Sequence, residues 1–243
     1  MKRLVFISVI LALLAGCAAR KSAVFAAAES NLANGRIALA EEFYRKTIQQ
    51  DGENVEAAVA HFRLAYLLKE KSPEQAQKHA DEFARLIARN IESLKADHES
   101  ALFFAWAALS VEKTKLAAAL LEDLPNDCHA AGLKAELANV RGDFEAAARI
   151  SGEMLEPCSY SPPMLVYAHA LSLYHLEAYG ELIDFALFIL PAYPQQEEIL
   201  ILGVRGAMAA GDCNAATDLL FYSLPSPQRD AALSWVSENC AGD

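Results

Sequence analysis

Residues 141–155 read "RGDFEAAARISGEML", and the same phrase returns as "NGRIALAEEFYRKTI" at 34–48 and "AGDCNAATDLLFYSL" at 210–224. In each copy an alanine follows five residues after a glycine, at Gly35/Ala40, Gly142/Ala147 and Gly211/Ala216. Apolar residues then recur at i, i+3 and i+4, the spacing of a helix with one face in a core. The glycine marks where the preceding helix stops, because a residue without Cβ takes positive φ at that position at little steric cost. Asp143 and Asp212 stand next, where a carboxylate can cap the helix that follows. The phrase therefore predicts helix, tight turn, helix.

Weaker copies have their turns near Lys71, Glu112 and Glu177, so turns fall near 35, 71, 112, 142, 177 and 211. Strand alternation is missing and Ala, Leu and Glu dominate, which predicts an all-α fold. Helix pairs repeating at a period near 34 resemble the tetratricopeptide family. Its second-helix pattern, an alanine with a large residue four later, stands as Ala40–Tyr44 and Ala216–Leu220. It slips at Ala76–Ala80, Ala147–Ser151 and Leu182–Ala186. The family's first-helix Trp, Leu-Gly and Tyr pattern is largely missing, and proline closes only some units, at Pro125, Pro157 and Pro191. Other α-solenoids stay open on these motifs. The resemblance implies a right-handed α-solenoid of about six helix pairs over residues 23–243. "SPEQ" at 72–75, "SPPM" at 161–164 and "SPQR" at 226–229 each offer a Ser cap with Pro at the first helical position. The last opens a final helix from Ser226 to Asn239, expected to close the array with Trp235 packed back onto the preceding pair.

The beginning of the chain reads differently. Lys2 and Arg3 precede an apolar run from Leu4 to Ala15 broken only by Ser8. It is shorter than the roughly 20 residues a spanning helix needs, and a basic start with a short apolar run describes a secretory signal peptide. Leu14-Ala15-Gly16-Cys17 resembles the lipobox of bacterial lipoproteins. The resemblance implies removal of residues 1–16, diacylation of the Cys17 thiol, acylation of the new amino terminus and a short lipidated tether over 17–22. Several acyl chains give a stable membrane anchor. Ala18, where the family's inner-membrane members often carry Asp, implies an outer-membrane location facing the periplasm.

Lys2 and Arg3 leave with the leader, so the remainder carries 19 basic against 32 acidic residues, a net charge of −13. That balance, without a Lys/Arg cluster, excludes nucleic acid as an expected partner and leaves the lipid as the membrane contact. Four further cysteines remain, Cys128, Cys158, Cys213 and Cys240, and an even number in an exported chain suggests two disulfides with three connectivities. The helix reading selects among them. Cys128 opens the first helix of one pair and Cys158 follows the second; Cys213 opens a second helix and Cys240 ends the closing helix. Antiparallel neighbours bring those ends together, predicting Cys128–Cys158 and Cys213–Cys240.

No catalytic constellation emerges. The histidines at 61, 79, 98, 129, 169 and 175 are scattered, with no H-E-x-x-H, and no C-x-x-C occurs, so neither metal nor cofactor is expected. They read as isolated surface or groove residues. Ser110-Val-Glu-Lys113 matches S-x-x-K but lacks S-D-N and K-T-G companions, so it reads as coincidence and the chain as a non-enzyme.

What is left is surface. In "PPMLVYAHALSLYHL" (162–176), Val166, Ala170 and Leu173 form one apolar stripe, while Met164, Tyr167, Leu171 and Tyr174 form another. Two tyrosines on a second stripe exceed what packing needs and suit recognition. Alignment of the repeats by their turns places Phe25, His61, Trp106, Glu136, Tyr167 and Arg205 at equivalent positions on the family's concave face. Partner contact is expected at Met164, Tyr167, Leu171, Tyr174, Trp106 and Arg205. The basic two-carboxylate clamp of one tetratricopeptide subclass is not supplied by these residues. An extended peptide or helix of another envelope protein fits better, which makes the chain an adaptor or assembly factor resembling lipoproteins of pilus, secretin or outer-membrane-protein assembly. The alternative is a structural or regulatory lipoprotein that self-associates or holds a peptidoglycan-acting enzyme.

Overall fold

In a computed structural model of the chain, residues 22–240 are described. They form fourteen α-helices and no strand. The chain divides into two compact units at Pro125–Asn126. The lipobox, Cys17 and the tether up to Lys21 lie outside the described residues, as do residues 241–243. Among the described residues no helix is long and apolar enough to cross a membrane.

The first unit contains α1 (Ala23–Ala33), α2 (Ile37–Asp51), α3 (Val55–Leu68), α4 (Pro73–Arg89), the short α5 (Ile91–Lys95), α6 (His98–Ser110) and α7 (Thr114–Leu121). Sequence neighbours pack together, α1 on α2, α2 on α3, α3 on α4 and α6 on α7. Side-chain caps start three of these helices: Ser22 Oγ accepts from Phe25 N–H at 3.2 Å, Asn54 Oδ1 from Ala57 N–H at 2.8 Å and Asp97 Oδ2 from Ser100 N–H at 3.1 Å. The core centres on Phe62, whose ring lies 5.8 Å from Phe83, 6.3 Å from Phe103 and 5.5 Å from Trp106. A charged group is also buried here. The Arg63 guanidinium, with 4% of its side chain exposed, donates two hydrogen bonds to the Glu29 carboxylate at 3.1 and 3.2 Å. Tyr44 Oη donates to the same carboxylate, and burial beside Glu29 raises the phenol pKa.

The second unit contains α8 (Cys128–Val140), α9 (Phe144–Leu155), α10 (Pro163–His175), α11 (Tyr179–Ile189), α12 (Glu197–Ala210), α13 (Cys213–Phe221) and α14 (Pro227–Asn239). Here α10 packs on α8, α9, α11 and α12, and α12 packs on α11, α13 and α14. Cys128 pairs with Cys158 and Cys213 with Cys240, as the helix reading predicts.

One turn recurs across both units. Gly35, Gly142 and Gly211 hold φ of 70°, 78° and 74°, and Glu112 and Glu177 hold 62° and 57° at the corresponding places. In all five the next residue's N–H bonds back five residues, Arg36 to Asn31, Lys113 to Ala108, Asp143 to Ala138, Ala178 to Leu173 and Asp212 to Ala207, at 2.8–3.0 Å. This is the left-handed helix stop that satisfies otherwise orphaned carbonyls. The turn near Lys71 is the exception, with no positive φ. After three of the turns an alanine is fully buried, at Ala40, Ala147 and Ala216, which explains its fixed place: a larger side chain there would hold the two helices of a pair apart.

Two local expectations need revision. In "SPPM" the helix begins at Pro163, not Pro162, and Pro162 is extended at ψ 169°. A residue preceding proline is pushed out of the helical region, so the second proline displaces the start by one. Ser226 does cap, accepting from Arg229 N–H at 3.1 Å, whereas Ser72 holds the cap position without a side-chain bond. Trp235 does not pack back on the preceding pair but is 41% exposed; Ala232 and Val236 form the inward face of α14.

Candidate functional site

On α10 the structure separates the two predicted stripes. Val166, Ala170 and Leu173 are 1%, 0% and 5% exposed and belong to the core of the second unit. Met164, Tyr167, Leu171 and Tyr174 are half-buried, the last three resting against that core at their inner edges. Tyr174 is held by neighbours, 5.7 Å from the His175 ring and 6.0 Å from Tyr179. The outer stripe is therefore an ordered row of partly covered apolar and aromatic side chains. Arg205 lies on α12, which packs against α10, and it is exposed.

The remaining aligned positions differ in surroundings. Phe25 is 3% exposed and packs 6.3 Å from Tyr44, so it is core. His61 is 8% exposed. Trp106 is half-buried in the aromatic cluster around Phe62 and Phe103. Glu136 on α8 is half-buried; burial raises its carboxyl pKa, and its Oε2 has no hydrogen-bond partner. Trp106 stands in the first unit and the α10 stripe in the second, so the sequence-predicted contact residues do not form one cluster within either unit.

The histidines are less isolated than their scatter in sequence suggests. His61 Nδ1 lies 2.9 Å from His79 Nδ1, His169 Nδ1 lies 3.0 Å from Ser151 Oγ, and His175 stacks on Phe144 with centroids 4.3 Å apart. Both polar pairs join residues 18 apart in sequence, placed either side of an inter-helix turn. That symmetry about a turn was the available signal, and it becomes visible only once the antiparallel register is known.

Ser151 and His169 have the residue types of a nucleophilic pair, but Ser151 is fully buried, and its Oγ also lies within hydrogen-bonding distance of the Ala147 carbonyl at 2.6 Å and the Ala148 carbonyl at 3.3 Å. Burial lowers the pKa of His169. The S-x-x-K residues are engaged as well: Ser110 Oγ donates to the Trp106 carbonyl at 2.9 Å and Lys113 pairs with Asp81. Among the described residues no three His, Cys, Asp or Glu side chains group as metal ligands.

No protein-family model matches the chain, and no curated protein is significantly similar to it.

Proposed function

We propose that this chain is a bacterial lipoprotein, anchored through Cys17 to the outer membrane and facing the periplasm. Its helix pairs build a right-handed tetratricopeptide-like solenoid that binds an extended segment or helix of another envelope protein. The reading makes it an adaptor or assembly factor rather than an enzyme. The observation that carries it is the outer stripe of α10: Met164, Tyr167, Leu171 and Tyr174 are half-buried and ordered while the opposite face of the same helix is fully used by the core. Tyrosine offers a large rigid contact area at low entropic cost, which is why such rows serve recognition. Support for the anchor comes from Leu14-Ala15-Gly16-Cys17, and support for the array from the five left-handed turns shared by both units.

Photocrosslinking from position 167 in cells, followed by mass spectrometry of the membrane fraction, tests the partner. One dominant envelope protein, lost in Tyr174→Ala, supports the adaptor reading; crosslinks confined to this chain defeat it. Labelling with a palmitate analogue, abolished in Cys17→Ser, tests the anchor separately. A self-associating structural lipoprotein draws its own support from Phe188 and Phe221, which are 59% and 80% exposed. Sedimentation showing reversible oligomers, weakened in Phe221→Ser and unchanged in Tyr167→Ala, favours that reading.

A further inference from the structure

In the first unit α3 packs against α4, and one polar contact between them is the approach of two imidazoles. His61 on α3 is 8% exposed and His79 on α4 is half-buried. Their Nδ1 atoms are 2.9 Å apart, with ring planes at 50°. At that distance a single proton can sit between them. One Nδ1–H donates, the other nitrogen accepts with its lone pair, and both rings are then neutral. A first added proton can settle on the donor ring's Nε2, which leaves the bond in place; a second takes the accepting lone pair and sets N–H against N–H between two cations.

The surrounding charges weigh against that second proton. Arg45 on α2 opposes charge on His79, and Arg85 on α4 opposes it on His61; Glu82 on α4 is the one carboxylate that favours charge on His61. The two arginines also make the site unsuited to a metal cation, although two ring nitrogens converge there.

We propose that the His61–His79 pair is an acid-sensitive latch between α3 and α4, closed while the two imidazoles share one proton and released when the accepting ring takes up another. Burial holds both rings below the usual imidazole value, and His79, opposed also by His61 and Arg45, is pushed down to about 4. The pair titrates as a coupled unit. The sign follows from the lowered folded-state values. In the unfolded chain each ring protonates near 6.5, so the stabilisation is fully present above that pH and is lost as pH falls from there toward 4. The release is local because the contact joins α3 to α4 alone.

The test is amide exchange of the full mature chain between pH 7 and pH 4, each rate normalised to its intrinsic value, together with the imidazole Cε1–H titrations by NMR. Protection of α3 and α4 amides is expected to fall on the order of 10²-fold across that range, the span set by His79's displacement. In His79→Gln, which can still hydrogen-bond to His61 but does not titrate, only the contribution of His61 remains, so the fall should be markedly smaller, and it should vanish in the double variant His61→Gln/His79→Gln. A matching fall in His79→Gln overturns the latch, because acid would then loosen the helices by another route. If that variant does not fold, the wild-type titrations decide: midpoints for His61 and His79 at or above 6.5 overturn the proposal, and midpoints well below it support it.

Discussion

Glu177 holds φ 57° at the turn between α10 and α11, where three other turns of the same kind place glycine. It is exposed, and the turn's bonds, Ala178 N–H to Leu173 O at 3.0 Å and Glu177 N–H to Tyr174 O at 3.2 Å, involve only backbone. Glu177→Gly should therefore keep every hydrogen bond and remove the left-handed penalty of a Cβ, about 1–2 kcal/mol. Glycine's added freedom in the unfolded chain returns roughly 0.5–1 kcal/mol of that. The net expectation is a gain of about 1 kcal/mol, or a melting midpoint of the second unit raised by about 4 °C. Gly142→Ala is the mirror experiment. Nothing lies within 4 Å of the Cβ it would add, so strain at φ 78° acts alone and the midpoint should fall by a similar amount. Differential scanning calorimetry of both variants measures the pair, with the transitions of the two units fitted separately. An unchanged or lower midpoint in Glu177→Gly would refute the view that these turns are set by backbone conformation.

Three further outcomes follow from packing and charge. Glu29→Ala leaves the buried Arg63 guanidinium without its carboxylate and should cost about 3–5 kcal/mol in chemical denaturation; Arg63→Ala, which leaves the half-buried Glu29 carboxylate its Tyr44 donor, should cost less. Replacing Cys213 and Cys240 by Ala opens a loop of 27 residues and should lower the unfolding free energy of the second unit by about 3–4 kcal/mol; a reducing agent, which opens Cys128–Cys158 as well, should cost the wild type more. Gly203→Ala brings a Cβ within 2.8 Å of the Ala186 Cβ and 3.1 Å of Leu219 Cδ1; overpacking of about 1–3 kcal/mol outweighs the helix-propensity gain of up to about 1 kcal/mol, and a lower midpoint in urea is expected.

The turns were legible because the repeat encodes them twice, once in glycine and once in period; the short α5 (Ile91–Lys95) falls outside the expected pairs and was not foreseen. Glu112 and Glu177 were located by period alone, and they adopt the same left-handed conformation as Gly35, Gly142 and Gly211. The disulfide pairing followed from which helix ends carry cysteine. The inner stripe of α10 was equally plain, since Val166, Ala170 and Leu173 recur at helical spacing. What escaped depends on register between helices. Arg63 meets Glu29 across 34 residues, one period of the repeat, and a charged residue inside an apolar helix gives no hint of a partner that far away. His61 and His79 needed the α3–α4 alignment. Trp235 failed for a simpler reason: on a helix with one packed neighbouring face, Ala232 and Val236 fill the contact, and a bulky indole is left at its flank.

The placement of the cysteines has a consequence for when the molecule matures. Every cysteine of the second unit is paired, while residues 22–125 contain none. The first unit holds together by aromatic packing and the Arg63–Glu29 pair, which form in any compartment. The second gains its two crosslinks only where thiols are oxidised. A chain retained in a reducing space is thus half finished: its amino-terminal helices can fold while its carboxy-terminal helices stay thermodynamically weak and open to proteases. Oxidising conditions are therefore what complete the second unit, whereas the first does not depend on them.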